Sequence, residues 1–263
     1  MIVLLPPSET KRSGGNGTPL DLAGLRFPEL LDVRQKNCAD LVALCNDPIA
    51  AARALKLGPT QSDAITRNVS LMSTPTMPAL LRYTGVLYDA FDAASLSDRQ
   101  WQRAASLVVI QSALFGPVSA SDRLPDYRLS HDSRLAPSLK ARWSAPGTEA
   151  LKSVSGIVVD LRSEGYAALS PLPIRPGAHY VRVVASDGNG RVRALNHFNK
   201  QAKGLFARAL VDAGHDFAST SQLLEWASDL GYDLTLLEDT TLSLCVTRVT
   251  GSDGRVRTSL RAE

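Results

Sequence analysis

Two short runs constrain the fold most: "IVLL" at Ile2–Leu5 and "IVV" at Ile157–Val159, each followed at once by polar and charged residues. A run that is apolar at every position suits a strand covered on both faces, as in a parallel sheet between helices. It does not suit the alternation of a strand with one wet face. The first run empties through Pro6 and Pro7 into Ser8, Glu9 and Lys11, and the second into Asp160, Arg162, Ser163, Glu164 and Tyr166. In open α/β sheets ligands collect outside the carboxyl ends of the strands. These two clusters, with a third at Asn196, His197 and Lys200, are therefore candidate walls of one polar cleft. With 263 residues, 44% of them hydrophobic, the chain can fill the core of one large α/β domain.

Helices are expected between the strands. Apolar positions from Leu30 to Leu55 recur at helical intervals, broken by Asn46-Asp47-Pro48. This predicts two helices, the second capped by Asp47 with Pro48 at its first position. Gly58-Pro59 ends that helix, and Thr60 or Ser62 caps the next. Short helices around such a turn either grip a DNA phosphate through backbone amides or serve as a plain connection. Tyr83, Gly85 and Tyr88 fall near the start of a further helix. "SDRQWQRAASLVVI" predicts a capped helix leading to a buried strand around Leu107–Ile110, then a Gly116-Pro117 turn. A hairpin about Asp187-Gly188-Asn189-Gly190 delivers Asn196 and His197 into a helix capped by Asn199 and ended by Gly214. Two last strands flank Ser252-Asp253-Gly254.

Charge is informative by distribution, because 29 Lys+Arg against 26 Asp+Glu leave only +3. Arg182 to Arg208 holds six basic residues and one acid, whereas Asp212 to Asp239 holds seven acids and no Lys or Arg. Such segregation gives one face a positive potential, or is ordinary solvated surface. Lys200 and Lys203, expected in the first turn of the helix after His197, oppose its macrodipole by about 0.3–1 kcal/mol each when exposed. Either an anion relieves this or the lysines snorkel into water. Lys11, His197, Glu9 and Glu164 are candidate acids or bases, unless ion pairing among them is purely structural. "SGGNGTP" lacks the spacing of a phosphate loop, no Gly-x-Ser-x-Gly elbow occurs, and the four histidines never stand at i, i+4. No metal or cofactor is expected. Cys38, Cys45 and Cys245 form no CxxC pair and read as reduced thiols. The opening apolar run is too short for a signal peptide or a membrane span, so a cytoplasmic protein is expected.

Six segments carry a resemblance: "MIVLLPPSETK", "RYTGVLYDAF", "SALFGPVSASDRLPDYRLSH", "LKARW", "VVDLRSEGY" and "HFNKQAKGLFARAL". In order and spacing, from Met1 to about Leu244, the chain resembles the peroxide stress protein YaaA family. The resemblance implies one α/β domain over residues 1–263, with a helical segment at about 28–75, a mixed sheet surrounded by helices, and a basic cleft. It further implies a cytosolic protein that limits peroxide damage by lowering available iron. It also implies binding of duplex or branched DNA through the cleft and a helix-hairpin-helix-like element near Leu41–Asp63. Carried over by position, the cleft residues are Lys11, Arg123, Tyr127, Arg128, Arg162, Tyr166, His197, Lys200 and Lys203, with Ser8 and Glu9 at the rim. Any effect on iron is expected to be indirect. The alternative is an enzyme or binding protein for a phosphorylated or nucleotide-like small molecule in the same cleft.

Overall fold

A computed structural model of the chain describes residues 1–186, 192–193, 196–238, 240–250 and 256–259. The chain opens with β1 (Ile2–Leu5) and, after a long loop, enters α1 (Leu31–Cys45), α2 (Pro48–Ala54) and α3 (Asp63–Val69). Then come β2 (Met77–Pro78), α4 (Ala79–Arg82), α5 (Val86–Phe91), α6 (Asp98–Leu107), β3 (Val108–Ser112), β4 (Gly116–Ser119) and β5 (Arg123–Leu124). The second half runs through α7 (Leu139–Lys152), β6 (Val158–Asp160), α8 (Glu164–Ala167), β7 (Ala178–Ser186), β8 (Val192–Arg193) and α9 (Asn196–Asp212). It closes with α10 (Thr220–Asp229), β9 (Asp233–Glu238), β10 (Thr241–Thr250) and β11 (Val256–Ser259).

The main sheet is mixed, in the order β11-β10-β7-β6-β1-β3-β4, with β8 pairing β7 and β9 pairing β10. Its five central strands, β10, β7, β6, β1 and β3, are parallel, and antiparallel neighbours close both ends. β1 lies inside the sheet, between β6 and β3, and is buried at all four positions, as its wholly apolar sequence requires. β3 and β6 are also buried along their length, each apolar until its last one or two residues. The chain lays β3 on one side of β1 and later β6 on the other. β6 leads on to β7, on the side away from β1, so the connections leaving β1 and β6 run in opposite directions, the topology at which α/β sheets take ligands.

Local chemistry fixes the helix starts. Asp47 Oδ1 accepts from the backbone N–H groups of Ile49 and Ala50, both at 3.0 Å, to cap α2. Ser97 and Gln100 form a capping box at α6, with Gln100 Oε1 accepting from the Ser97 N–H at 2.8 Å. Helix α9 buries Ala202, Phe206, Ala207, Leu210 and Val211, and Gly204 lets it press onto α5, where a Cβ would collide with the Leu87 carbonyl oxygen. Gly214, at φ +73°, follows the end of that helix.

Three expectations need correction. Gly116-Pro117 is not a turn but the start of β4, pairing with Ser112 and Gln111, and the reversal falls at residues 113–115. Asn199 is not the cap of α9, which begins at Asn196. Lys200 is thus its fifth residue and Lys203 its eighth, so neither opposes the macrodipole in the first turn. The hairpin joins β7 to β8 through Ala185–Arg193 and Ser186–Val192, but its turn at 187–190 and the 252–254 turn lie outside the described residues. Cys38 and Cys45 are buried thiols and Cys245 is partly buried. Among the described residues, no helix is long and apolar enough to cross a membrane.

Candidate functional site

After β1, Pro6 and Pro7 deny the sheet two N–H donors and turn the chain across the strand ends. The turn is tied to the segment between α4 and α5. Arg12 N–H donates to the Arg82 carbonyl at 2.8 Å, Thr84 N–H to the Thr10 carbonyl at 3.2 Å, and Tyr88 Oη to the Pro6 carbonyl at 2.8 Å. Gly85, at φ +96°, is the left-handed residue that brings this segment against Ser8 and Thr10.

The tie delivers Lys11 into an aromatic pocket. Its Nζ donates to the Ser8 carbonyl at 3.1 Å and stands 4.3 Å from the Tyr127 ring centroid and 5.4 Å from that of Tyr83. The two phenols share a 2.7 Å hydrogen bond, and Tyr127 shares another of 2.7 Å with Ser112, the last residue of β3. Three hydroxyls are thus linked in a chain from the end of β3 to Tyr83, with the lysine seated over the Tyr127 ring rather than bonded to a hydroxyl. Burial drives the Lys11 ammonium down to about 7; Arg128 and Arg67 reinforce this, while Asp126 and Glu9 oppose it. Burial also pushes Tyr83 up to about 12 and holds Tyr127 and Tyr88 well above an ordinary phenol.

Two ion pairs edge the pocket: Glu9 with Arg128 at 2.8 Å, and Arg67 with Asp126 at 3.5 Å. Asn68 of α3 fixes the Arg128 backbone from both sides, accepting from its N–H at 2.8 Å and donating to its carbonyl at 2.9 Å. Arg128 Nε is buried and has no hydrogen-bond partner among the described residues. Tyr166 packs edge-on against His131 at 4.9 Å, and its phenol is raised by burial and by the nearby Tyr83 and Glu9.

Beneath the strand ends lies a second, internal group. Arg162, fully buried, donates to both oxygens of Asp160 at 2.8 and 2.7 Å and to Gln111 Oε1 at 3.0 Å. Lys203 reaches from α9 to the Arg162 carbonyl at 3.0 Å. Burial lowers its ammonium to about 8, against the pull of Asp160 and Glu164. These groups brace the ends of β3 and β6 to the middle of α9.

Ser8, Glu9, Lys11, Tyr127 and Arg128 therefore come together, with Tyr166 beside them, while the other expected site residues stand apart. Arg162 and Lys203 turn inward and present no charge to solvent. Arg123 holds the glycine-rich loop, donating to Asn16 Oδ1 at 2.7 Å and the Thr76 carbonyl at 3.1 Å. Lys200 is exposed on α9, and the side chain of His197 lies outside the described residues. In the Leu41–Asp63 segment, the Gly58 N–H donates to Gln61 Oε1 at 2.9 Å, so the chain itself occupies the turn amide that a phosphate would need. Sequence reasoning missed Ser112, Asn68 and Asp126, and did not join Tyr83 to Lys11. Ser112 had a usable signal, since it ends a buried parallel strand as Leu5 and Asp160 do. Among the described residues, no group of three or more His, Cys, Asp or Glu is placed to hold a metal ion.

Chemically, an amine that titrates near neutrality can take up a proton or attack an electrophile, and a buried guanidinium N–H can bind an anionic oxygen. Known proteins are similar to this chain over most of its length. The family model described as peroxide stress protein YaaA matches residues 1–235. A UPF0246 protein of Corynebacterium efficiens is 42% identical over 244 residues, covering 90% of this chain and 96% of its own length. One from Streptomyces coelicolor is 37% identical over 239 residues, covering 89% and 92%, and one from Shewanella oneidensis is 27% identical over 196 residues, covering 70% and 74%.

Proposed function

Because the chain belongs to the peroxide stress protein YaaA family, we propose that it serves the response to peroxide by binding phosphate-bearing ligands, DNA first among them, over the carboxyl ends of β1, β3 and β6. The observation that carries this reading is Arg128 Nε, a buried donor without a partner among the described residues at the edge of the Lys11 pocket. Buried donors are normally satisfied, and an anionic oxygen satisfies a guanidinium best. Arg12, next to Lys11, and Lys200, one turn before Lys203, are exposed and supply outer phosphate contacts. The hairpin near Gly58 and the buried Arg162 and Lys203 have no part in this version of DNA binding.

Fluorescence anisotropy with duplex and branched DNA across a salt series tests it. Affinity is expected to fall linearly on logarithmic axes, and Arg12→Ala/Lys200→Ala to reduce the slope by about 0.9 for each phosphate no longer neutralised. Absent or salt-independent binding overturns the reading.

A second reading, a small phosphorylated or nucleotide-like ligand in the same place, is favoured by the enclosure of the pocket. Tyr83 and Tyr127 are both only 2% exposed, so neither ring offers an open face for a base to stack on. A rise in melting temperature with nucleotides or sugar phosphates but not with DNA selects it. Lowering of available iron is proposed as an indirect consequence, and stoichiometric iron in the purified protein would overturn that.

A further inference from the structure

We propose that Lys11 is a carbonyl-reactive amine, poised to form a Schiff base with an aldehyde that carries a neighbouring phosphate. The inference rests on the reading that the pocket accepts an anionic ligand. Its geometric basis is the separation of Lys11 from any carboxylate partner. Among the described residues Lys11 makes no ion pair; Glu9 is held by Arg128 at 2.8 Å and Asp126 by Arg67 at 3.5 Å. The amine instead rests on the Tyr127 face, beside the linked Tyr83–Tyr127–Ser112 hydroxyls, with its side chain partly open to solvent. A lysine kept only as a structural cation gains more from a carboxylate than from a ring face. A nucleophilic lysine needs the reverse, an apolar seat that leaves its lone pair available.

Burial supports the same conclusion. With its ammonium lowered to about 7, roughly half of Lys11 is neutral at pH 7. An ordinary lysine, titrating near 10.4, is neutral in about one molecule in 2,500. The Nζ lone pair attacks the carbonyl carbon, whose π electrons move to oxygen; the oxygen takes a proton while nitrogen gives one up. The carbinolamine hydroxyl then leaves as water with one further proton, and the nitrogen lone pair closes the C=N bond. Protons pass between nitrogen and oxygen through solvent, and neither oxidant nor reductant is consumed. Arg128 Nε, without a partner among the described residues, holds the phosphate. Two sources share this chemistry: an open-chain sugar aldehyde at a damaged position in DNA, flanked by phosphates, and a free sugar phosphate.

The test is borohydride trapping with the full chain, read by intact mass and peptide mapping. The probes are a duplex containing one abasic site, the same duplex undamaged, and glyceraldehyde 3-phosphate. A reduced adduct on Lys11, at least tenfold above that on other lysines, is expected with the abasic duplex or the sugar phosphate, and none with the undamaged duplex. Trapping in the wild-type protein should rise with pH about a midpoint near 7, because only the neutral amine attacks. Lys11→Arg, which keeps the charge, should abolish the adduct. Because the wild-type map and pH profile need no variant, a Lys11→Arg protein that fails to fold does not blunt the test. DNA binding by anisotropy without a Lys11 adduct from either aldehyde overturns the inference and leaves the phosphate reading intact. A sugar phosphate adduct on Lys11 without DNA binding overturns the DNA reading and supports the inference. Adducts spread evenly over surface lysines, or a trapping midpoint above pH 10, overturn it as well.

Discussion

Replacing Lys11 with Met keeps an unbranched apolar stem against Tyr83 and Tyr127 and removes the titrating head, and the pH dependence of the resulting stability change can be worked out. In the native state the proton leaves at about 7. In the unfolded chain it leaves near 10.4. Below pH 7 both states hold the proton, and the native state carries the full penalty of a buried charge. From pH 7 upward the unfolded state binds more protons than the native one, so wild-type stability gains up to about 1.36 kcal/mol per pH unit from this group. Between pH 7 and 9 the upper bound is about 2.7 kcal/mol. Partial exposure of the side chain admits solvent screening, which brings the expected value to about 1.4 kcal/mol. The advantage of Lys11→Met over wild type should therefore be largest near pH 6 and shrink by about 1.4 kcal/mol from pH 7 to 9. Urea unfolding at half-unit steps, followed by far-UV circular dichroism with m held common, measures it. Taking the difference between the two proteins cancels Lys203 and every other shared titration. A difference that stays constant within about 0.3 kcal/mol over that range refutes the burial argument for Lys11.

Two further perturbations probe the frame around the site. Asp160→Asn leaves the fully buried Arg162 without its counter-ion and should cost about 3–5 kcal/mol in urea unfolding, whereas Asp160→Leu/Arg162→Met should recover most of that; a loss under about 1 kcal/mol refutes the internal brace. Gly204→Val must push α9 off the Leu87 carbonyl of α5 and should cost at least about 1–3 kcal/mol by thermal melting, so an unchanged midpoint refutes the close approach.

How much of this was legible in the sequence varies with the kind of information. "IVLL" and "IVV" are readable as doubly covered strands because burial on both faces leaves no room for alternation. That β1 lies between β3 and β6 is not readable, since its place is set by a crossover of more than a hundred residues. The Asp47-Pro48 start is legible because cap chemistry is local. Helix α7 is not: it carries Pro146 and Gly147 in its interior, against helix propensity, and is held by tertiary contacts such as the buried Trp143, whose Nε1 donates to the Ala113 carbonyl at 2.8 Å. At the site, residue type was legible and direction was not. Arg162 looks like a cleft cation, yet Asp160, two residues away, offers it a bidentate partner and turns it inward. Lys11 meets Tyr83 and Tyr127, 72 and 116 positions along the chain, and no local pattern announces a contact of that span.

The interior place of β1, between β3 and β6, also sets an order of assembly. Its two partner strands end at residues 112 and 160, so the unpaired edges of Ile2–Leu5 wait for 107 and then 155 further residues after Leu5 before both can close. At synthesis rates of about 5–20 residues per second, the second edge waits about 8–30 s after the strand is made. The first strand to be made is thus an interior one, and its two edges are not both closed until more than half of the chain has been synthesised. Slowing elongation anywhere between Leu5 and Asp160 lengthens the interval in which the nascent chain most needs a chaperone.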